Sequence, residues 1–125
     1  MKRENENGKP LMRQSHEQWL KNIEMQMDDL QQADANARYL QMCVHDLAVQ
    51  SNLSTLRNRL LMQKSLLSSL AFEVANNLRL IVKASNVITI GDIVTGNKLR
   101  DRVLKAEQET LLLRTSVHQL LSKAS

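Results

Sequence analysis

MRQSHEQWLKNIEMQMDDLQQADANARYLQMCVHDL, residues 12–47, is the stretch that decides the fold. Apolar residues recur in it at alternating intervals of four and three: Met12, His16, Trp19, Ile23, Gln26, Leu30, Ala33, Ala37, Leu40, Val44 and Leu47, with only His16 and Gln26 breaking the rule. A repeat averaging about 3.5 residues places every member on one stripe of an α-helix, and such a stripe must be covered by another helix. The spacing predicts a helix A over 11–49. At about 1.5 Å per residue its seam would run roughly 54 Å, longer than a small globule is wide. Small residues at the successive seam positions Ala33 and Ala37 would let a partner backbone come close, although the high helix propensity of alanine accounts for them equally well.

Two further seams follow. The second is Leu53, Leu56, Leu60, Gln63, Leu67, Leu70, Val74, Asn77, Ile81 and Ala84; the third is Leu99, Val103, Ala106, Thr110, Leu113, Val117, Leu120 and Ala124. They predict helix B over 52–85 and helix C over 97–123. In one straight helix, the nine residues from Val44 to Leu53 would turn the stripe by about 900°, half a turn out of phase. Either the chain folds back near Gln50, Ser51 and Asn52, or one continuous helix offers opposite faces to two partners. The fold-back is preferred. Leu61, Leu66, Phe72, Leu78, Leu80 and Val82 widen the stripe of helix B, so B is expected at the centre of the bundle. Gln63 and Asn77 at seam positions read either as buried amides that fix register or as bundle-edge positions open to water.

Between B and C lies a β-branched run, Val87-Ile88-Thr89-Ile90-Gly91-Asp92-Ile93-Val94-Thr95-Gly96. It reads as a hairpin turning at Gly91-Asp92, or as an apolar loop whose end, Thr95 or Asn97, caps helix C. The expected fold class is therefore all-α: a three-segment helical bundle or coiled coil with long helices and a short hairpin or loop at about 87–96. Residues 1–10, polar and containing Gly8 and Pro10, read as a disordered lead to a single helical domain over 11–125.

Composition narrows the function. Three aromatics, Trp19, Tyr39 and Phe72, suit helix seams better than an aromatic-lined pocket. One cysteine, Cys43, allows no internal disulfide. The lead has no apolar run of the roughly 7 to 15 residues a signal peptide needs, and nothing approaches the roughly 18 of a membrane span. These features predict an intracellular protein, cytoplasmic or nuclear, without membrane insertion.

Residues 11–56 carry Arg13, Lys21 and Arg38 against Glu17, Glu24, Asp28, Asp29, Asp34 and Asp46, a net of −3. Residues 57–105 carry nine cations against Glu73, Asp92 and Asp101, a net of +6. Pairing of helix A with B and C accounts for the asymmetry. The tighter cluster Lys98, Arg100, Arg102 and Lys105 opposes the dipole at the start of helix C, so an anion or nucleic acid is a candidate partner there. No aromatic interleaves with it, and helix geometry scatters the four, so a solvated face is the simpler reading.

Catalytic signatures are missing. His16, His45 and His118 lie on separate segments, Cys43 with His45 makes an incomplete zinc set, and adjacent Asp28 and Asp29 diverge by about 100° on a helix. Gly91 and Gly96 do not form a phosphate-binding loop. No enzyme activity, metal, cofactor or small-molecule substrate is expected.

Long Leu-rich helices with few aromatics are similar in general character to small subunits of heteromeric eukaryotic complexes, such as organelle-biogenesis, lysosome-positioning or kinetochore assemblies, and to small bacterial secretion chaperones. No motif carries that similarity. Three seams of 36, 32 and 26 residues exceed what one short chain is expected to cover by folding on itself, so the expected function is a structural or adaptor subunit completing its bundle with other chains. The expected interface is Trp19, Ile23, Leu30, Ala33, Ala37, Leu40, Val44, Leu47, Leu60, Leu67, Leu70, Leu99, Val103, Leu113, Val117 and Leu120. Seams of unequal length favour unlike chains over a homo-oligomer. A nucleic-acid-associated protein and a chaperone for an amphipathic client are the alternatives.

Overall fold

The structure is a computed structural model that describes the backbone of residues 2–83 and 88–124, and the side chains of 8–83 and 88–123. It contains three long helices, α1 (Lys2–Cys43), α2 (Leu47–Lys83) and α3 (Ile90–Ala124), and no strand among the described residues. Cross-helix partners fix the topology. Gln41 meets Ser54 and His16 meets Asn77, so α1 and α2 are antiparallel; Asn22 meets Glu107 and Asp29 meets Arg114, so α1 and α3 are parallel. The chain therefore runs up, down and up.

The seams cover one another. Ile23, Leu30, Ala33, Ala37 and Leu40 of α1 are buried in a single core with Leu53, Leu56, Leu60, Leu67, Leu70 and Val74 of α2 and Leu99, Val103, Ala106, Leu113 and Val117 of α3. Fully burying each leucine contributes roughly 1.5 to 3 kcal/mol. Stripes expected to complete their bundle with other chains meet one another within this chain over these residues. An antiparallel hairpin with a third helix laid in its groove brings three stripes to one axis, and they cover one another from Ile23 to Leu40, Leu53 to Val74 and Leu99 to Val117.

Helix ends differ from the expected ones. α1 begins at Lys2 and passes through Gly8 and Pro10, upstream of the expected Leu11. It stops at Cys43, and the fold-back occupies 44–46 instead of 50–52. The reason is Asp46, whose carboxylate accepts from the N–H groups of Ala48 (2.8 Å) and Val49 (3.3 Å) and so caps α2 one helical turn early. Gln50 closes the corner from inside α2, donating to the carbonyl oxygens of Gln41 (2.8 Å) and Val44 at the end of α1. Ser51 and Asn52 are then ordinary exposed helix residues.

The β-branched stretch is likewise helical from Ile90 onward; Val87 and Ala84 lie outside the described residues. Thr89 and Asp92 form a reciprocal box in which the Asp92 N–H donates to Thr89 Oγ1 (3.1 Å) and the Thr89 N–H to Asp92 Oδ2 (3.0 Å). Two backbone donors satisfied at the start of a helix outweigh the mild helix aversion of Ile and Val. Thr95 and Asn97 sit inside α3 and cap nothing. Nor is α2 central: α1 shares more contact with each neighbour than α2 and α3 share with each other. Leu61, Leu66, Phe72, Leu80 and Val82, read as signs of a doubly buried α2, are exposed.

Candidate interaction surfaces

The core is apolar apart from two polar contacts. In the first, one residue from each helix meets at the axis. Thr110 Oγ1 donates to Gln26 Oε1 (2.9 Å), and Gln63 Nε2 donates to Thr110 Oγ1 (3.2 Å) and to the Ala106 carbonyl (3.0 Å). Gln26 Nε2 turns back to Asn22 Oδ1, so both amides are satisfied. Such a layer can be completed only when the three helices stand at one relative height, and it therefore selects register. In the second, His16 is fully buried between the Met12 carbonyl, to which Nδ1–H donates (2.7 Å), and the Asn77 amide, 2.7 Å from Nε2; Trp19 packs on its ring at 4.6 Å between centroids. Of the two readings open for Gln63 and Asn77, the buried amide holds for Gln63, whereas Asn77 is half-buried.

Charges flanking the seams bridge the helices within the chain. Asp34 of α1 meets Arg57 of α2 (2.9 Å), and Asp29 meets Arg114 of α3 (3.2 Å). Glu109 of α3 meets Arg59 of α2 (3.0 Å), and Arg102 meets Glu73. The Asp34 carboxylate holds the Arg57 guanidinium above its usual value, and the Arg102 guanidinium holds the Glu73 carboxyl below the usual carboxylate range. Most of these pairs are half exposed, where each is worth little by itself. Only Asp34–Arg57 joins the acidic run of 11–56 to the basic run of 57–105; Arg114 and Glu109 lie beyond both runs, and Arg102–Glu73 lies within the second.

The expected interface residues consequently divide. Ile23, Leu30, Ala33, Ala37, Leu40, Leu60, Leu67, Leu70, Leu99, Val103, Leu113 and Val117 are buried by the chain itself and present nothing to a partner. Val44 and Leu120 are half-buried near the ends of the helices, Trp19 is half-buried against the core between His16 and Ile23, and Leu47, beyond the end of α1, is 85% exposed. The cationic cluster is not gathered on one face. Arg100 turns to Asp101 and Arg102 to Glu73, leaving Lys98 and Lys105, seven residues apart, on a common column of α3.

No protein-family model matches this chain, and no curated protein or solved structure is significantly similar to it. Among the described residues no three His, Cys, Asp or Glu side chains converge to hold a metal ion, and no helix is long and apolar enough to cross a membrane.

What the sequence reading missed lies outside the seams. Met25, Tyr39, Leu61, Met62, Phe72, Leu111 and Leu112 each expose more than half of their surface. They occupy the outward positions of their helices, and a signal for them was present: apolar residues one or two places from a seam member, and so off a stripe that was already complete.

Proposed function

We propose that the chain is a non-catalytic helical adaptor that joins other helical proteins through the outer faces of its bundle. The observation that carries this reading is the crowd of large apolar side chains left outside a core that is already closed; Met62 and Phe72, for instance, are each 71% exposed. Scattered apolar side chains are normal on a soluble domain, but rows of them on each helix are the mark of a surface that associates. Unlike partners remain favoured, since the outer positions of the three helices do not repeat one another.

The alternatives have less to stand on. A chaperone would need an unfilled seam as its client groove, and the seams fill each other. A nucleic-acid binder would need its cations on one face, whereas two of the four are engaged with carboxylates. The adaptor reading is tested by sizing the native protein in extract through an affinity tag at its C-terminus. It should run in a complex of defined composition, well above the 14.3 kDa of the chain. Migration alone at the size of a single bundle would refute it.

A further inference from the structure

We propose that the face formed by α2 and α3 is the docking site for an acidic amphipathic helix supplied by a partner protein. The proposal rests on the adaptor reading and names the chemistry of the partner. Two independent observations carry it.

The first is geometric. α2 and α3 share the least contact of the three helix pairs. The edge between them is spanned by long side chains, Arg59 to Glu109 and Arg102 to Glu73, and by Gln63 reaching the Ala106 carbonyl. Leu66 stands seven residues from both Arg59 and Glu73, so it shares their flank of α2 between the two bridges, and it is 49% exposed. Met62, three residues on from Arg59, and Leu112, three on from Glu109, lie just outside the same edge and are 71% and 60% exposed. An exposed apolar strip running along two neighbouring helices is a surface onto which a fourth helix packs.

The second is electrostatic. Along the two columns nearest this strip on each helix, the carboxylates are Glu73 and Glu109, and both are already bridged to arginine. Lys83, Lys98 and Lys105 stand on the same columns, exposed and in no ion pair with a described residue. The other two faces are near neutral, with Asp34 against Arg57 on one and Asp29 against Arg114 on the other. A helix that places leucine-like residues on Met62, Leu66 and Leu112 and carboxylates beside Lys98 and Lys105 is complementary in both respects. This also gives a use to two cations of the 98–105 cluster that the fold leaves unengaged.

The test uses the native complex. Carbodiimide couples carboxylates to lysine amines only at contact distance. Treatment of the purified complex followed by peptide mass spectrometry should therefore join Lys98 and Lys105 to Asp or Glu residues spaced three, four or seven apart in one partner segment. Lys98→Glu with Lys105→Glu should reduce recovery of that partner at least tenfold, and Leu112→Asp should do the same. All three positions are exposed, so circular dichroism and melting of the isolated variants should match the parent. A partner recovered in full by these variants, or coupled through another face, overturns the inference while leaving the adaptor reading intact. Association abolished by nuclease, and indifferent to Leu112→Asp, overturns it in favour of nucleic acid. A chain that runs alone overturns both readings.

Discussion

Replacing Thr110 by valine should destabilise the bundle by about 1 to 3 kcal/mol, even though the two side chains have nearly the same shape and valine is the more apolar. The hydroxyl serves both glutamines of the buried layer: it donates to Gln26 Oε1 and accepts from Gln63 Nε2. Without it, Gln63 keeps the Ala106 carbonyl and Gln26 Nε2 keeps Asn22, but Gln26 Oε1, on a side chain only 4% exposed, loses its donor within the chain. A buried polar atom left without a partner costs roughly 1 to 3 kcal/mol. Converting the whole layer, as Gln26→Leu, Gln63→Leu and Thr110→Val together, removes every group that needs a partner and should be near neutral or stabilising. The single variant is thus less stable than the triple one, a non-additivity that double-mutant cycles assign to the layer. Urea unfolding followed by far-ultraviolet circular dichroism measures both. A neutral Thr110→Val, or a triple variant as unstable as the sum of its singles, would refute the layer as a connected unit. Amide exchange in the stable triple variant should quicken along all three helices, because nothing polar then fixes their relative height.

Three further outcomes follow from the geometry. Leu67→Asp, at a fully buried position, should unfold the chain, whereas Leu66→Asp one residue away should leave stability within about 0.5 kcal/mol; the same unfolding curves separate them. Asp46→Ala and Thr89→Ala should each cost about 0.5 to 2 kcal/mol through loss of the caps of α2 and α3, seen as lower urea midpoints at unchanged slope. The Glu73 carboxyl is held below its ordinary value by Arg102, so the folded chain binds that proton more weakly than the unfolded one. Its contribution is therefore present above the ordinary carboxylate range and is lost as the pH falls through the lowered value. Arg102→Ala should lower stability slightly at neutral pH and leave it unchanged at the acid end, where Glu73 is protonated, so that the acid limb flattens.

The alternating spacing was sufficient to place the core. Nearly every seam residue from Ile23 to Leu40, Leu53 to Val74 and Leu99 to Val117 is buried, because a period of about 3.5 residues has one geometric consequence. The half-turn phase jump also located the fold-back to within a few residues. Its exact place was not legible, because Asp46, Ser51 and Asn52 are all competent caps and only tertiary packing selects Asp46. At α3, the β-branched run concealed the Thr89–Asp92 box, a spacing of three that outranks side-chain propensity. That most of the expected interface residues are buried within the chain was not legible for a different reason. A stripe says that it must be covered, and nothing in its spacing tells whether the cover comes from the same chain. Thr110 was on the page as a seam member, but its role depends on standing level with Gln26 and Gln63, residues 84 and 47 positions away.

The central claim is that one chain suffices to close these seams, and light scattering on a size-exclusion column, with circular dichroism at each dilution, tests it most directly. The purified chain should elute as a 14.3 kDa monomer whose helical signal does not change on dilution. A mass of two or more chains, with helicity falling as the protein is diluted, would mean that the seams are covered from outside and would contradict the account.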